Sequence, residues 1–109
     1  MEKLSQTTIY VGLNDSVSGE QKYVTQKYLS ILKKVCSGYS VAFSVYPING
    51  GYFHEDGRYV EETTLALMLI GVGDDILMEI AKDLCVFFNQ ESVMVVSSPC
   101  SVVFVSEEL

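Results

Sequence analysis

The run TTLALMLI, residues 63–70, limits the fold more than any other stretch of the chain. In a strand, alternate side chains project to opposite sides. Leu65, Leu67 and Leu69 would then share one face, and Ala66, Met68 and Ile70 the other. Both faces are apolar. VMVV at 93–96 and VVFV at 102–105 have the same character. A strand with one face in water alternates with polar residues, and these do not, so the sheet they build needs cover on both sides.

The remaining segments say what that sheet is made of. TTIYVGL at 7–13 is rich in β-branched residues and stops at the turn-forming Asn14-Asp15. In the segment 16–38, Ser18 and Gln21 have the spacing of a capping box, and Glu20 suits the positive end of a helix dipole. Val24, Tyr28, Ile31, Leu32 and Val35 then recur at helical spacing, Lys33 and Lys34 fall in the last turn, and Gly38 supplies a stop. YSVAFSVY at 39–46 alternates as a strand, which Pro47 and the NGG at 49–51 are expected to interrupt. YFHEDGRYV at 52–60 reads as a strand, a tight turn at Asp56-Gly57 and a return strand.

The segment 73–90 predicts a second helix. Asp74 or Asp75 would be its cap, Ile76, Ile80, Leu84 and either Phe87 or Phe88 its buried stripe, and Asn89 its left-handed exit. The last segment, broken at Pro99, predicts two short strands or one bent strand. The order matches one α+β domain over 1–109, a ferredoxin-like βαββαβ sandwich with an additional C-terminal strand. Such a sheet carries both helices on one face. The simplest cover for the other face is a second copy of the chain, so a homo-oligomer is expected.

Charge and composition narrow the function. Fourteen carboxylates face seven basic residues, a net charge of −7. That leaves little to replace the counterions of a nucleic-acid duplex or to meet an anionic membrane. The apolar runs are far shorter than the roughly 18 residues of a spanning helix, and MEKLSQTTIY has no apolar signal core. Cys36, Cys85 and Cys100 are odd in number and widely spaced, which favours free thiols in a reducing, cytoplasmic setting. No nucleophile–base pairing, phosphate-binding glycine loop or metal-ligand spacing is present. Hence no catalytic residue, metal or cofactor is expected, and the chain reads as a binding protein rather than an enzyme.

The single histidine and the single arginine both lie in GGYFHEDGRYVEE, residues 50–62. Turn formation, cross-strand aromatic pairs and edge-protecting charges account for much of this segment. The functional alternative is a ligand site. Arg58 would meet a phosphate or carboxylate, Tyr52, Phe53 and Tyr59 would stack on a base, and His54 and Asn49 would add polar contacts. The downstream Asn89-Gln90 amides read as a helix exit or as a ring of amides near a subunit boundary.

Taken in order, YVGLND, GGYFHEDGRYVEETTL and FNQESVMV resemble a set of short proteins from phages and prophages of Gram-positive bacteria. Those carry a Y-x-G-L-N-D start, an H-E-[DN]-G hairpin with an E-x-T-L strand, and an N-Q-E-[SA]-[VI] helix exit. The tail SSPCSVVFVSEEL is longer here. The resemblance brings no catalytic residues with it, and it implies an anti-defence role. On that reading the oligomer sequesters a small anionic, nucleotide-derived immune signal in the bacterial cytoplasm. The alternative is an inhibitor of a host defence protein, meeting a basic partner through Glu55, Asp56, Glu61, Glu62, Asp74 and Asp75.

Overall fold

A computed structural model describes residues 1–108. Six elements follow one another: β1 (Glu2–Gly12), α1 (Thr25–Gly38), β2 (Ser44–Phe53), β3 (Tyr59–Ile70), α2 (Asp74–Phe87) and β4 (Met94–Val102). The strands form one four-stranded sheet in the order β2-β3-β1-β4, with every neighbouring pair antiparallel. This is the expected ferredoxin-like α+β arrangement.

The two-faced β3 explains why it sits inside the sheet. Leu65, Leu67 and Leu69 pair in register with Val11, Ile9 and Thr7, and these residues are at most 1% exposed. Tyr28, Leu32, Val35 and Cys36 of α1 and Leu77, Ile80, Ala81 and Leu84 of α2 close over them. Burial pushes the Cys36 thiol up to about 11, so it stays a neutral apolar filler. All three cysteines are free, with Cys85 and Cys100 half-buried.

The opposite face of the sheet carries Tyr10, Tyr46, Ala66, Met68, Ile70 and Val96. Ala66 is shielded between Tyr10 and Tyr46, its partners on the neighbouring strands, whereas Ile70 is 48% and Val96 49% exposed. Among the described residues nothing covers this face.

Several boundaries differ from the sequence reading, each for a tertiary reason. Pro47 and the NGG do not interrupt β2, because β2 is an edge strand and Pro47, opposite Leu65, lacks only an N–H that no second neighbour needs. Pro99 sits likewise in edge strand β4, opposite Ser5. The terminal segment is therefore one strand to Val102, not a separate additional strand, and residues 103–106 lie beyond the sheet. Helix α1 starts at Thr25 behind Val24, with no side-chain cap, so Ser18 and Gln21 are not its capping box and Lys22 lies outside it. Gly73, not an aspartate, precedes α2, and Asp74 and Asp75 occupy its first turn, where negative charge suits the dipole. Ile76 is 38% exposed, and the buried stripe runs through Leu77 instead. Phe88 rather than Phe87 closes that stripe, edge-on to Tyr28 at 5.2 Å. Asn89 takes the expected left-handed conformation at φ 50°.

Candidate functional site

β3 pairs with β1 only as far as Thr64, opposite Gly12, while β2 and β3 continue to Phe53 and Tyr59. The two-stranded end of this hairpin therefore projects past the sheet. His54 N–H donates to the Arg58 carbonyl at 2.8 Å and Gly57 N–H to the His54 carbonyl at 2.9 Å. The turn is thus the three residues Glu55-Asp56-Gly57, with Gly57 at φ 85°, and not the two-residue turn read from Asp-Gly. Asp56 accepts the Arg58 backbone N–H at 2.9 Å. That bond, followed by the charges of Arg58 and His54, holds its carboxyl below the usual range.

Alternation then divides the expected site. Tyr52, His54 and Arg58 line a hollow of about 580 Å³ between the hairpin and the loop that follows β1. Asn49 and Tyr59 line a second hollow of about 560 Å³. Phe53 lines neither; it packs against Tyr59 with ring centres 5.4 Å apart. The six residues therefore do not form one platform, because successive residues of a strand face opposite ways. Arg58 is two-thirds exposed and lies 3.9 Å from Asp56, its nearest carboxylate partner. The acidic surface divides too. Glu55, Asp56 and Glu61 lie at or near the hairpin tip, while Asp74 and Asp75 follow the far end of β3, about 36 Å away for an eleven-step strand.

Asn14 and Glu62 line both hollows, and of the two only Glu62 brings a charge. Its carboxylate accepts the Asn14 N–H at 3.2 Å and lies over Gly12, where a Cβ would come within 2.5 Å of it. A glycine facing a carboxylate in this register was the available sequence signal, but pairing had to be known to use it.

The loop wall of the first hollow is held by Asp15, which is 6% exposed. It accepts Asn89 Nδ2 at 2.7 Å, Val17 N–H at 2.9 Å and Ser18 N–H at 3.1 Å, with Lys22 Nζ at 3.3 Å. The Asn89 bond first, then the Ser18 and Val17 amides, hold its pKa far below the carboxylate range. Gln90 Nε2 donates to the Asn14 carbonyl at 2.6 Å. The Asn89 and Gln90 amides thus clasp the loop within one chain.

A depressed carboxylate pKa contributes stability above the unfolded value, about 4, and loses it as pH falls toward the folded value. Asp15→Asn is expected to lower the melting temperature at neutral pH and to flatten its decline below about pH 4. Circular dichroism melts from pH 7 to pH 2 measure both.

No protein-family model and no curated protein matches the sequence. Solved structures do. A phage SAM lyase in complex with S-methyl-5′-thioadenosine superimposes with a TM-score of 0.68 at 21% identity, over 87% of this chain and 80% of that one. The B. subtilis GlnK–ATP complex follows at 0.59 and 11%, over 90% and 82%. The periplasmic divalent cation tolerance protein CutA from Archaeoglobus fulgidus matches at 0.54 and 12%, over 94% and 89%. The fold is common to all of them. Among the described residues no cluster could hold a metal ion, and no helix is long and apolar enough to cross a membrane.

Proposed function

We propose that this is a phage-type small-molecule-binding protein that acts as a homo-oligomer and takes an adenosine-bearing ligand beside Glu62. The observation that carries the reading is the 580 Å³ hollow, where Tyr52 offers a stacking face and Glu62 an acceptor suited to ribose hydroxyls. Two proteins of the same fold are described in complex with adenosine compounds, S-methyl-5′-thioadenosine and ATP, which supports this ligand class.

Charge chooses within the class. Asp15, Glu20, Glu62 and Glu91 line the hollow against Arg58, while Lys22 is occupied by Asp15. The anionic ligand expected from Arg58 would meet four carboxylates. A sulfonium such as S-adenosylmethionine, or a neutral thioadenosine, meets no such repulsion. Holding such a compound in an infected cell would withdraw it from the host reactions that need it, in keeping with the anti-defence expectation.

Turnover is a second reading, favoured by the overlap with the SAM lyase and by the Glu62 carboxylate in the wall of the hollow. Calorimetric titration with S-adenosylmethionine, S-methyl-5′-thioadenosine, ATP and cyclic nucleotides tests the site. Heat from the first two and little from the phosphates is expected, and silence from every compound would retire the reading. Chromatography of the S-adenosylmethionine mixture separates holding from cleavage, since displacement of the sulfur by the substrate's own carboxylate would close a lactone on the amino-acid chain and free S-methyl-5′-thioadenosine.

The open sheet face, with Ile70 and Val96 each about half-exposed, underlies the oligomer. Sedimentation at micromolar concentration is expected to give a multiple of 12.1 kDa. Met68→Glu, at the centre of that face, should shift the protein toward the single chain. A single-chain mass for the unaltered protein at this concentration would overturn the assembly.

A further inference from the structure

Gln90 lines the 580 Å³ hollow together with Tyr52 and Glu62, and its clasp on the loop does not use the whole side chain. A glutamine amide carries two N–H donors on nitrogen and an acceptor on oxygen, and unrestrained it turns over to suit either kind of partner. Here both donors are committed. Nε2 donates to the Asn14 carbonyl at 2.6 Å and to the Phe88 carbonyl at 3.3 Å. Two carbonyls can meet only the nitrogen, so the amide is locked one way round. Its backbone is fixed as well, with the Gln90 N–H on the Cys85 carbonyl at 2.9 Å. No hydrogen bond among the described residues takes up Oε1, and no buried side-chain oxygen is left without a partner, so Oε1 is open to solvent. What Gln90 offers the hollow is an acceptor alone.

We propose that Gln90 Oε1 reads the base of the ligand, accepting the exocyclic N–H of adenine and so selecting adenosine compounds over their 6-keto counterparts. The inference rests on the adenosine reading of the hollow and adds the residue that chooses the base. Adenine presents a donor where guanine and hypoxanthine present an oxygen. A fixed acceptor meets the amine with a hydrogen bond and the oxygen with none. A mobile amide would serve both by rotating, which the two carbonyls forbid. Position agrees with this. Asn14 alone separates the Gln90 amide from Glu62, taking Nε2 on its carbonyl and holding Oε2 by its N–H. Two hydrogen bonds and one residue limit that separation to at most on the order of 10 Å, the scale of a nucleoside from exocyclic amine to ribose hydroxyls. Glu20 and Glu91 also border the hollow, but both are exposed and neither carboxylate is held by a hydrogen bond among the described residues, so neither presents an acceptor in a fixed place.

The test titrates the full chain, by calorimetry, with two neutral nucleosides that differ only along the base edge, S-methyl-5′-thioadenosine and S-methyl-5′-thioinosine. The unaltered protein is expected to bind the adenosine compound at least about tenfold more tightly. Gln90→Leu removes the acceptor and should bring the two affinities within about twofold of each other. Gln90→Lys keeps donors for both carbonyls but offers no acceptor, and should favour the inosine compound. The readout is a ratio on one protein. A general loosening of the loop, seen as a lower melting temperature, weakens both ligands alike and leaves that ratio in place. Equal affinities on the unaltered protein, or a preference that survives both substitutions, would overturn the role of Gln90 and leave the adenosine reading standing. Loss of both ligands in both variants would mean that Gln90 only builds the loop, which overturns it too. Heat from neither compound on the unaltered protein retires the inference and the ligand reading together.

Discussion

Replacing Glu62 by glutamine is expected to weaken binding of the proposed adenosine ligand by about tenfold to a hundredfold while the fold persists. The range is the loss of one charge-assisted hydrogen bond, about 1.5–3 kcal/mol, converted to affinity. Glu62 is the charged one of the two residues shared by both hollows, and it is held over Gly12 by the backbone N–H of the other, Asn14. Glutamine keeps the shape and an acceptor but removes the charge, so a cationic ligand should lose more than a neutral one. Titrating S-adenosylmethionine and S-methyl-5′-thioadenosine against the variant reads that difference directly. Arg58→Ala is the contrasting case. Because Arg58 is exposed and loosely paired, its loss should leave both titrations within about threefold of the original. If Arg58→Ala abolishes binding and Glu62→Gln does not, the acidic-hollow reading is wrong and the anionic ligand returns.

The second large effect concerns stability. Leu67 is fully buried, paired with Ile9 on one side and Val45 on the other, on the sheet face that both helices cover. Leu67→Ala removes a core side chain and leaves a cavity where the helices cannot easily collapse, a cost of about 2–5 kcal/mol. Against a typical total of about 5–15 kcal/mol, much of the fold's stability goes with it. Urea denaturation should show the midpoint fall sharply with an unchanged slope. The next residue, Met68, faces the other way and is only half-buried. Met68→Ala should cost the single chain far less and should act mainly on association. Equal losses at both positions would mean that the open face is as well packed as the core.

These neighbours also show what was legible before the structure. Leu67 and Met68 are separated by the period-2 rule alone, and the structure places them on opposite faces as that rule requires. Asn89 was readable as a left-handed exit because the demand is local, one residue after a helical stripe. The stripe of α2 was located less well. Ile76 and Leu77 fit a helical period almost equally, and only the packing against β1 and β3 turns Leu77 inward. The start of α1 was missed because Ser18 and Gln21 carry a valid capping pattern. A distant partner, Asn89 on Asp15, helps hold that stretch as a loop.

The hairpin that carries the candidate residues was legible, but not which of them share a hollow. The sequence pointed to the hairpin, and the hollows are there, yet the six residues expected to converge are divided between its two sides.

By itself, then, the sequence determined the order of elements, the two-faced central strand and the position of the hairpin. Each of these depends on side chains within a few residues of one another. Tertiary structure alone decided which strands became edges and could carry Pro47 and Pro99. It also set which side of the hairpin each aromatic faces and brought Glu62 to Gly12 and Asn14. Those outcomes depend on strand register and on contacts between residues some fifty or more positions apart, and local periodicity holds no record of them.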